Sequence, residues 1–175
     1  MTNPNLSHRA SIIPASPIRK LAPLANTAKA KGLRVYHLNI GQPDIKSPQE
    51  FFEGLQKFSN DVIAYEQSKG NETLCQAWSS YMNKTTNLNT RPEQFQITAG
   101  GSEAIIFALM CCADPGDEII VFDPTYANYI GFSVMGGIKL VSVAGDIDKD
   151  FHLPPVAEIE AAITPKTRAV ILCNP

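Results

Sequence analysis

The second half of the chain alternates short apolar segments with segments of helical pattern, and this alternation constrains the fold more than any other feature. The apolar segments are residues 95–98, 118–122, 138–143 and 167–173, and the helical segments are residues 104–112, 127–135 and 155–163. Strands that are apolar on both faces are typical of parallel sheets, whose crossover helices cover them. The sequence therefore predicts an α/β fold with a mostly parallel sheet and helices on both faces.

The first half of the chain is less regular. Residues 1–35 are rich in Pro, Ala, Ser and Lys, and we interpret them as an N-terminal arm that contains a helix at 21–31. A short strand is expected at Val35–Ile40, closed by the turn-forming sequence GQPD. Two more helices are predicted, at residues 48–58 and 71–86. In the second of them, four apolar residues at helical spacing are expected in the core: Leu74, Trp78, Tyr81 and Met82.

Charge and hydropathy exclude several classes of partner. The formal net charge is −2, which gives no reason to expect binding to nucleic acid or to an anionic membrane. No apolar run is long enough to span a membrane, since a spanning helix needs about 20 residues. The N-terminal residues lack the apolar region of a signal peptide. We therefore expect a cytoplasmic protein.

The four cysteines and three histidines show no spacing typical of metal ligands. There is no CxxC pair, and the neighbours Cys111 and Cys112 are too close to chelate one ion in the usual way. We expect free, buried thiols and no metal site.

The turn TAGGSE, residues 98–103, lies between an expected strand and an expected helix. Two glycines let a ligand approach the backbone, the helix N-terminus offers free N–H groups, and Ser102 adds a hydroxyl donor. These features suit a phosphate or a carboxylate. A tight turn with Ser102 as the helix N-cap is the alternative interpretation. The turn matches neither a P-loop nor a dinucleotide-binding glycine motif.

Tyr126 follows the next strand, in the sequence DPTY, and is therefore expected at the same end of the sheet as the glycine turn. An aromatic ring there could stack on a planar cofactor whose phosphate the turn holds, or it could simply pack at the sheet edge. Two further positions lie in turns or loops. Gly41 offers a backbone N–H to a small carboxylate, and Tyr65 presents a phenol that could equally be surface packing.

Five separated motifs occur in one order along the chain: IGQPD (40–44), AYEQSKG (64–70), TAGGSEAI (98–105), DPGDEIIVFDPTYANY (114–129) and RAVILCNP (168–175). In this order and spacing they resemble the class I/II aminotransferases of pyridoxal-phosphate (PLP) fold type I, the aspartate aminotransferase-like proteins. The resemblance runs from about Arg9 to Pro175. It implies the α/β large domain of that fold and PLP as cofactor.

The resemblance also assigns roles to residues of the cofactor site. Gly101 and Ser102 match the turn that binds the PLP phosphate, and Glu103 opens the helix behind it. Tyr126 matches the aromatic that stacks on the pyridine ring, where many relatives carry tryptophan. Asn128 corresponds to a position near the cofactor.

Three further positions relate to the partner subunit and the substrate. Tyr65 matches the tyrosine that reaches the phosphate of the neighbouring subunit, which implies a homodimer with a shared site. Gly41, with Ile40 beside it, matches the glycine that contacts the substrate α-carboxylate. The expected substrates are an amino acid and a 2-oxo acid.

The residues that react are expected beyond Pro175. None of the ten lysines lies in a motif resembling the family's lysine site. Asn174 resembles the first NP of the family's NPxNPTG, not the asparagine that touches the PLP hydroxyl. The last strand also has no crossover helix after it. We therefore expect the N-terminal portion of a longer protein, with residues 1–46 as arm and small-domain segment and residues 47–175 as the first part of the large domain.

The implied activity is transamination, in which PLP acts as an electron sink and this segment holds and orients it. By itself the segment should not transaminate. Three alternatives stay open: a PLP-dependent C–S or other lyase on the same scaffold, a non-catalytic PLP-binding module, and a small α/β phosphate-binding domain unrelated to PLP.

Overall fold

The structure, a computed structural model, describes residues 6–59 and 62–173 of the 175-residue chain. Its described residues form two compact units. One contains residues 6–39 and 102–173, and the other is Ile40–Gly101. The predicted division at residue 46 concerns a longer protein and stays a prediction.

The described residues contain seven α-helices, three β-strands and two short 3₁₀ segments at Pro92–Gln94 and Ile147–Lys149. The helices are α1 (His8–Ile12), α2 (Ala22–Ala30), α3 (Gln49–Lys57), α4 (Glu72–Thr85), α5 (Gly101–Cys112), α6 (Asn128–Gly136) and α7 (Val156–Ala161). The strands are β1 (Glu118–Asp123), β2 (Lys139–Ala144) and β3 (Thr167–Ile171).

The three strands form one parallel sheet in the order β2-β1-β3. β1 is central, and Ile119, Ile120 and Val121 are almost fully buried on its two faces. β2 and β3 flank it, and residues of β3 alternate between exposed and half-buried. The predicted α/β fold with a parallel sheet is confirmed, although only the central strand is apolar and buried on both faces.

Helices α5 and α6 pack on the face of the sheet that carries Ile119. The core there joins Leu109 of α5 and Ala113, which follows the helix, to Ile119 and Ile138, with Phe132 of α6 packed against them. The chain leaves β2, forms α7 and then pairs β3 with the other side of β1. A right-handed crossover in this direction would place α7 on the face opposite to α5 and α6. The helices on the second face therefore stay a prediction, while α5 and α6 cover the first.

A polar network ties the three strands together where they begin. The carboxylate of Glu118, almost fully buried, accepts a hydrogen bond from Lys139 Nζ at 2.8 Å and one from Thr164 Oγ1 at 2.6 Å. These hydrogen bonds, with the lysine charge, hold the pKa of Glu118 below its usual range, while partial desolvation acts the other way. Beside it, Arg168 Nε donates to Asp117 at 3.1 Å. The ionised carboxylate is thus the favoured form in the folded state.

We expect Glu118→Gln to lower the urea midpoint of unfolding of the whole protein at neutral pH. A carboxyl whose pKa is lowered by folding stabilises the fold above its unfolded pKa, and that contribution is lost as the pH falls through the lowered value. The midpoint difference between wild type and variant should therefore shrink on acidification. Glu160→Gln, an exposed carboxylate on α7, is the control. A difference that stays constant between pH 7 and pH 3 would contradict the network's role.

The Ile40–Gly101 unit is organised around α4. Asn71 caps this helix by accepting from Leu74 N at 3.1 Å, and Ser79 donates to Thr90 O at 2.8 Å. The buried residues of α4 are Cys75 and Ser79. The expected core positions are therefore wrong for this chain: Leu74, Trp78 and Tyr81 are exposed and Met82 is half-buried. In α4 the buried side is therefore the one that carries Cys75 and Ser79, not the more apolar side that carries Leu74, Trp78 and Tyr81.

Two predicted strands are absent from the described residues. Residues 35–40 form irregular backbone and a turn. Phe95 is extended, and Ile97 N donates to Lys69 O at 3.0 Å, but residues 95–98 form no strand. A strand needs a ladder of such bonds, and local apolar pattern does not supply the partner. A further difference is α1, a single short helix within the predicted arm.

No helix in residues 6–59 and 62–173 is long and apolar enough to cross a membrane. Within the same residues no group of three or more His, Cys, Asp or Glu side chains is placed to hold a metal ion. All four cysteines are free, but only Cys75 is buried. The expectation of buried thiols is thus wrong for Cys111, Cys112 and Cys173, which are exposed.

Candidate functional site

The first part of the candidate site is the turn that leads into α5. Gly100 has φ +94°, a left-handed conformation that favours glycine, and Thr98 Oγ1 donates to its carbonyl at 2.9 Å. α5 begins at Gly101 and continues for 12 residues, so its first N–H groups have no helical acceptor. Ser102 is exposed in the first turn. The helix thus starts three residues earlier than predicted, at the glycine itself.

Space at this turn suits an anion. A Cβ added at Gly101 would meet no other heavy atom within 4 Å. The N–H groups of a helix N-terminus, the positive end of the helix dipole and the Ser102 hydroxyl all favour negative charge there. The residues present therefore fit a phosphate group such as that of PLP.

The second part is the loop that follows β1. Asp123, the last residue of β1, accepts a hydrogen bond from Gly145 N at 2.7 Å through its carbonyl and one from the Ser142 hydroxyl through its carboxylate. These bonds tie the start of the loop to the end of β2. Tyr126 lies three residues further on and is 39% exposed. A ring held there is open enough for a ligand to reach it.

Tyr126 is surrounded by two polar or aromatic neighbours from the start of α6. Asn128 Nδ2 donates to the Tyr126 phenol oxygen at 2.6 Å. The ring of Tyr129 packs edge-to-face against that of Tyr126, with centroids 5.3 Å apart and an interplanar angle of 86°. Tyr129 is 8% exposed. Burial raises the pKa of its phenol, and the nearby Cys173 thiol acts in the same direction.

Chain direction predicts that the α5 N-terminus and Tyr126 lie toward the same edge of the sheet. α5 leads into β1 with Ala113 and Ile119 in one core, so the helix runs antiparallel to the strand. A cavity of about 320 Å³ runs along α5 from Ile105 to Cys112 and is also lined by Tyr129 and Leu172, which follow β1 and β3. Ser102 is one turn before Ile105. We therefore expect Ser102, like Tyr126, at the carboxyl edge, where α/β sheets place ligands.

The remaining predicted residues are not brought to this edge by any described contact. Ile40, Gly41 and Tyr65 belong to the Ile40–Gly101 unit, where all three are exposed and Tyr65 fully so. Glu103 is half-buried in the first turn of α5. Asn174 lies outside the described residues. The roles suggested for these positions stay predictions.

Sequence reasoning did not single out Tyr129. Its only sequence signal is its position three residues after Tyr126, at the start of a helix, where residues three apart are neighbours. The sequence likewise identifies Cys173 only as a thiol, not as a neighbour of Tyr129.

Comparison with known proteins gives a consistent family. The sequence model of "Aminotransferase class I and II" matches residues 34–175. The aspartate aminotransferase of Thermotoga maritima is 30% identical over 171 residues, which are 97% of this chain and 45% of that protein.

Solved structures agree with the sequence match. The crystal structure of the Thermotoga maritima aspartate aminotransferase has a TM-score of 0.82 and 31% identity, covering 94% of this chain and 44% of that one. The alanine aminotransferase from Pyrococcus furiosus has a TM-score of 0.84 and 28% identity, covering 94% and 42%. The chain thus spans less than half the length of these relatives.

Proposed function

The chain belongs to the class I and II aminotransferases, and from this premise we propose that the whole protein is a PLP-dependent aminotransferase. It moves an amino group between an L-amino acid and a 2-oxo acid, and this chain supplies the half of the site that holds the cofactor. The observation that carries the proposal is the open N-terminus of α5, which fits a phosphate, in a chain of this family.

The phosphate of PLP would lie at the start of α5. Gly101 leaves room for it, Ser102 donates its hydroxyl, and the main-chain N–H of Ser102 lies in the first turn, where the helix supplies no acceptor. Charge-assisted hydrogen bonds of this kind are stronger than neutral ones. The residues bind and orient the group without taking part in proton transfer.

The ring of the cofactor would stack on Tyr126, which is 39% exposed. When bound, PLP supplies an electron sink for the bond broken at the substrate Cα. The contribution of Tyr126 and of the α5 turn is to hold the reacting ring in one orientation, which lowers the entropy lost on reaching the transition state.

Substrate binding and assembly involve the Ile40–Gly101 unit. We propose that Gly41, with Ile40 beside it, contacts the substrate α-carboxylate. Tyr65 is fully exposed, as a side chain that reaches into a neighbouring subunit would be before assembly. A homodimer with a shared site, in the cytoplasm, is the arrangement that we propose.

We propose that the lysine to which the cofactor is covalently joined is not among residues 1–175. The ten lysines of this chain are not in a sequence resembling the family's lysine site. The chain taken by itself would hold PLP without transaminating.

The test is an assay of the whole protein with PLP. L-aspartate or L-alanine is supplied with a 2-oxo acid, and the new amino acid and any free ammonia are both measured. We expect stoichiometric amino transfer without ammonia. Borohydride trapping of the cofactor, followed by peptide mapping, should find the modified lysine outside the ten present here.

Each alternative gives a different result. Release of ammonia from a sulfur-containing amino acid, without amino transfer, would favour the lyase. Tight PLP binding with no turnover of any donor would favour the non-catalytic binding module. A trapped cofactor on one of the ten lysines would contradict the proposed division of the site.

A further inference from the structure

Tyr126 is held at three separate points by residues that immediately follow it. Its carbonyl accepts a hydrogen bond from Tyr129 N at 3.0 Å, its phenol oxygen accepts one from Asn128 Nδ2 at 2.6 Å, and its ring packs edge-to-face on Tyr129 at 5.3 Å. The first bond holds the backbone, the second limits where the phenol end lies, and the third limits the tilt of the ring. Few orientations of the side chain satisfy all three.

Tyr129 is itself fixed in place. It is 8% exposed at the start of α6, and it lines the apolar cavity that α5 and β3 share, with Ile105, Ile171 and Leu172. The phenol also lies beside Cys173, which follows β3. The aromatic contact to Tyr126 therefore connects a half-exposed ring to the packed core rather than to another mobile side chain.

A half-exposed aromatic ring on a loop would otherwise sample several rotamers, and each ordered side chain has an entropy cost that a ligand would have to offset on binding. Holding the ring in advance removes that cost from the binding step. Asn128 and Tyr129 provide this restraint, although neither would need to contact the ligand.

We propose that Tyr129 and Asn128 are positioning residues, which hold the Tyr126 ring in the orientation that receives the planar ring of the cofactor. This inference rests on the proposed function, because it takes the stacking role of Tyr126 from there. It adds two residues that act on the cofactor through Tyr126.

The first arm of the test needs no cofactor. A 3-fluorotyrosine is placed at position 126 alone in the cofactor-free whole protein, and its fluorine NMR line is recorded. Tyr129→Leu and Asn128→Ala should each shift or broaden the line, because the ring gains freedom. Tyr129→Phe keeps the edge-to-face contact and should leave the line close to that of the wild type.

The second arm uses the PLP-loaded protein. Circular dichroism in the absorption band of the cofactor reports the asymmetry of its surroundings. Tyr129→Leu and Asn128→Ala should reduce this signal and raise the PLP dissociation constant by about 2- to 10-fold, the range expected for loss of one aromatic or hydrogen-bond contact. Tyr129→Phe keeps the ring and loses only the hydroxyl, so its dichroism and PLP dissociation constant should stay close to those of the wild type. If the hydroxyl of Tyr129 were what mattered, Tyr129→Phe would instead behave like Tyr129→Leu.

Tyr81→Leu is a matched control. Tyr81 forms an equivalent edge-to-face pair with Trp78 on α4, at 5.8 Å and 88°. Its removal costs a similar aromatic contact in the other unit, and it should change neither the fluorine line of residue 126 nor the dichroism. An equal effect of Tyr81→Leu would overturn the inference.

The reference variant Tyr126→Leu distinguishes the stacking role of Tyr126 from the positioning roles of Asn128 and Tyr129. If it leaves PLP affinity and dichroism unchanged, the stacking role fails and the inference falls with it. If Tyr126→Leu alters both while Asn128→Ala and Tyr129→Leu alter neither, the proposed function stands and the inference is wrong. Should Tyr129→Leu fail to fold, Asn128→Ala and Tyr129→Phe still decide the outcome.

Discussion

In the whole protein, Ser102→Ala is expected to weaken PLP binding by about 1.5–3 kcal/mol, or roughly 10- to 150-fold in Kd. The hydroxyl of Ser102 is exposed in the first turn of α5, beside N–H groups that have no helical acceptor. If the phosphate lies there, the variant loses a hydrogen bond to a charged group while the remaining donors are retained. The dissociation constant is measured by titrating PLP into cofactor-free protein.

Two variants control this experiment. Ser102→Thr keeps a hydroxyl at the same position and should retain most of the affinity. Ser80→Ala removes an exposed serine from α4 and should leave PLP binding unchanged. An unchanged Kd in Ser102→Ala, with the protein folded, would contradict the phosphate assignment.

The phosphate assignment can also be tested sterically, by filling the expected phosphate position with a methyl group. A Cβ at Gly101 meets no protein atom within 4 Å, so Gly101→Ala should leave the stability of the fold unchanged or slightly improved. The methyl group would nevertheless occupy the volume in which the phosphate is expected, and PLP affinity should fall. Gly54→Ala in α3, whose added Cβ is equally unobstructed, should not change it.

The largest effect on stability is expected at the centre of β1. Ile120 is 0% exposed in the middle strand of the sheet. Truncation of a buried isoleucine to alanine removes its transfer free energy and leaves a cavity, and typically costs about 2–5 kcal/mol. Ile120→Ala should therefore lower the free energy of unfolding of the whole protein by that amount, measured by urea denaturation.

A graded series makes this prediction specific. Ile120→Val removes one methylene and should cost about 0.5–1.5 kcal/mol. Ile147→Ala, at a residue 72% exposed in the short 3₁₀ segment after β2, should cost less than Ile120→Ala. If the two alanine variants lost equal stability, burial at the central strand would not be the cause.

Much of the fold could be predicted because its signals are local. The apolar run at Glu118–Asp123 and the helical patterns around it depend on residues close in the chain, and β1, α5, α6 and α7 all form near their expected positions. Strands 35–40 and 95–98 were wrong because an apolar pattern does not say whether a neighbouring strand is available to pair with it.

The candidate site divides in the same way. The glycine turn and Tyr126 could be found from the sequence, since each is a local motif beside a strand or helix. Tyr129 could not, because its role depends on a ring contact, on burial in a cavity lined by α5 and β3, and on the Cys173 thiol, 44 positions along the chain from it.

By itself the sequence determined the alternating α/β order, the family and the turn that opens α5, because each is a pattern of neighbouring residues or a set of motifs in fixed order. Only the tertiary structure decided that β1 is central, that α4 buries Cys75 and Ser79, and that Tyr129 and Asn128 converge on Tyr126. The physical reason is that side-chain packing between separate elements selects one buried face and one ring orientation. Local pattern leaves several of each open.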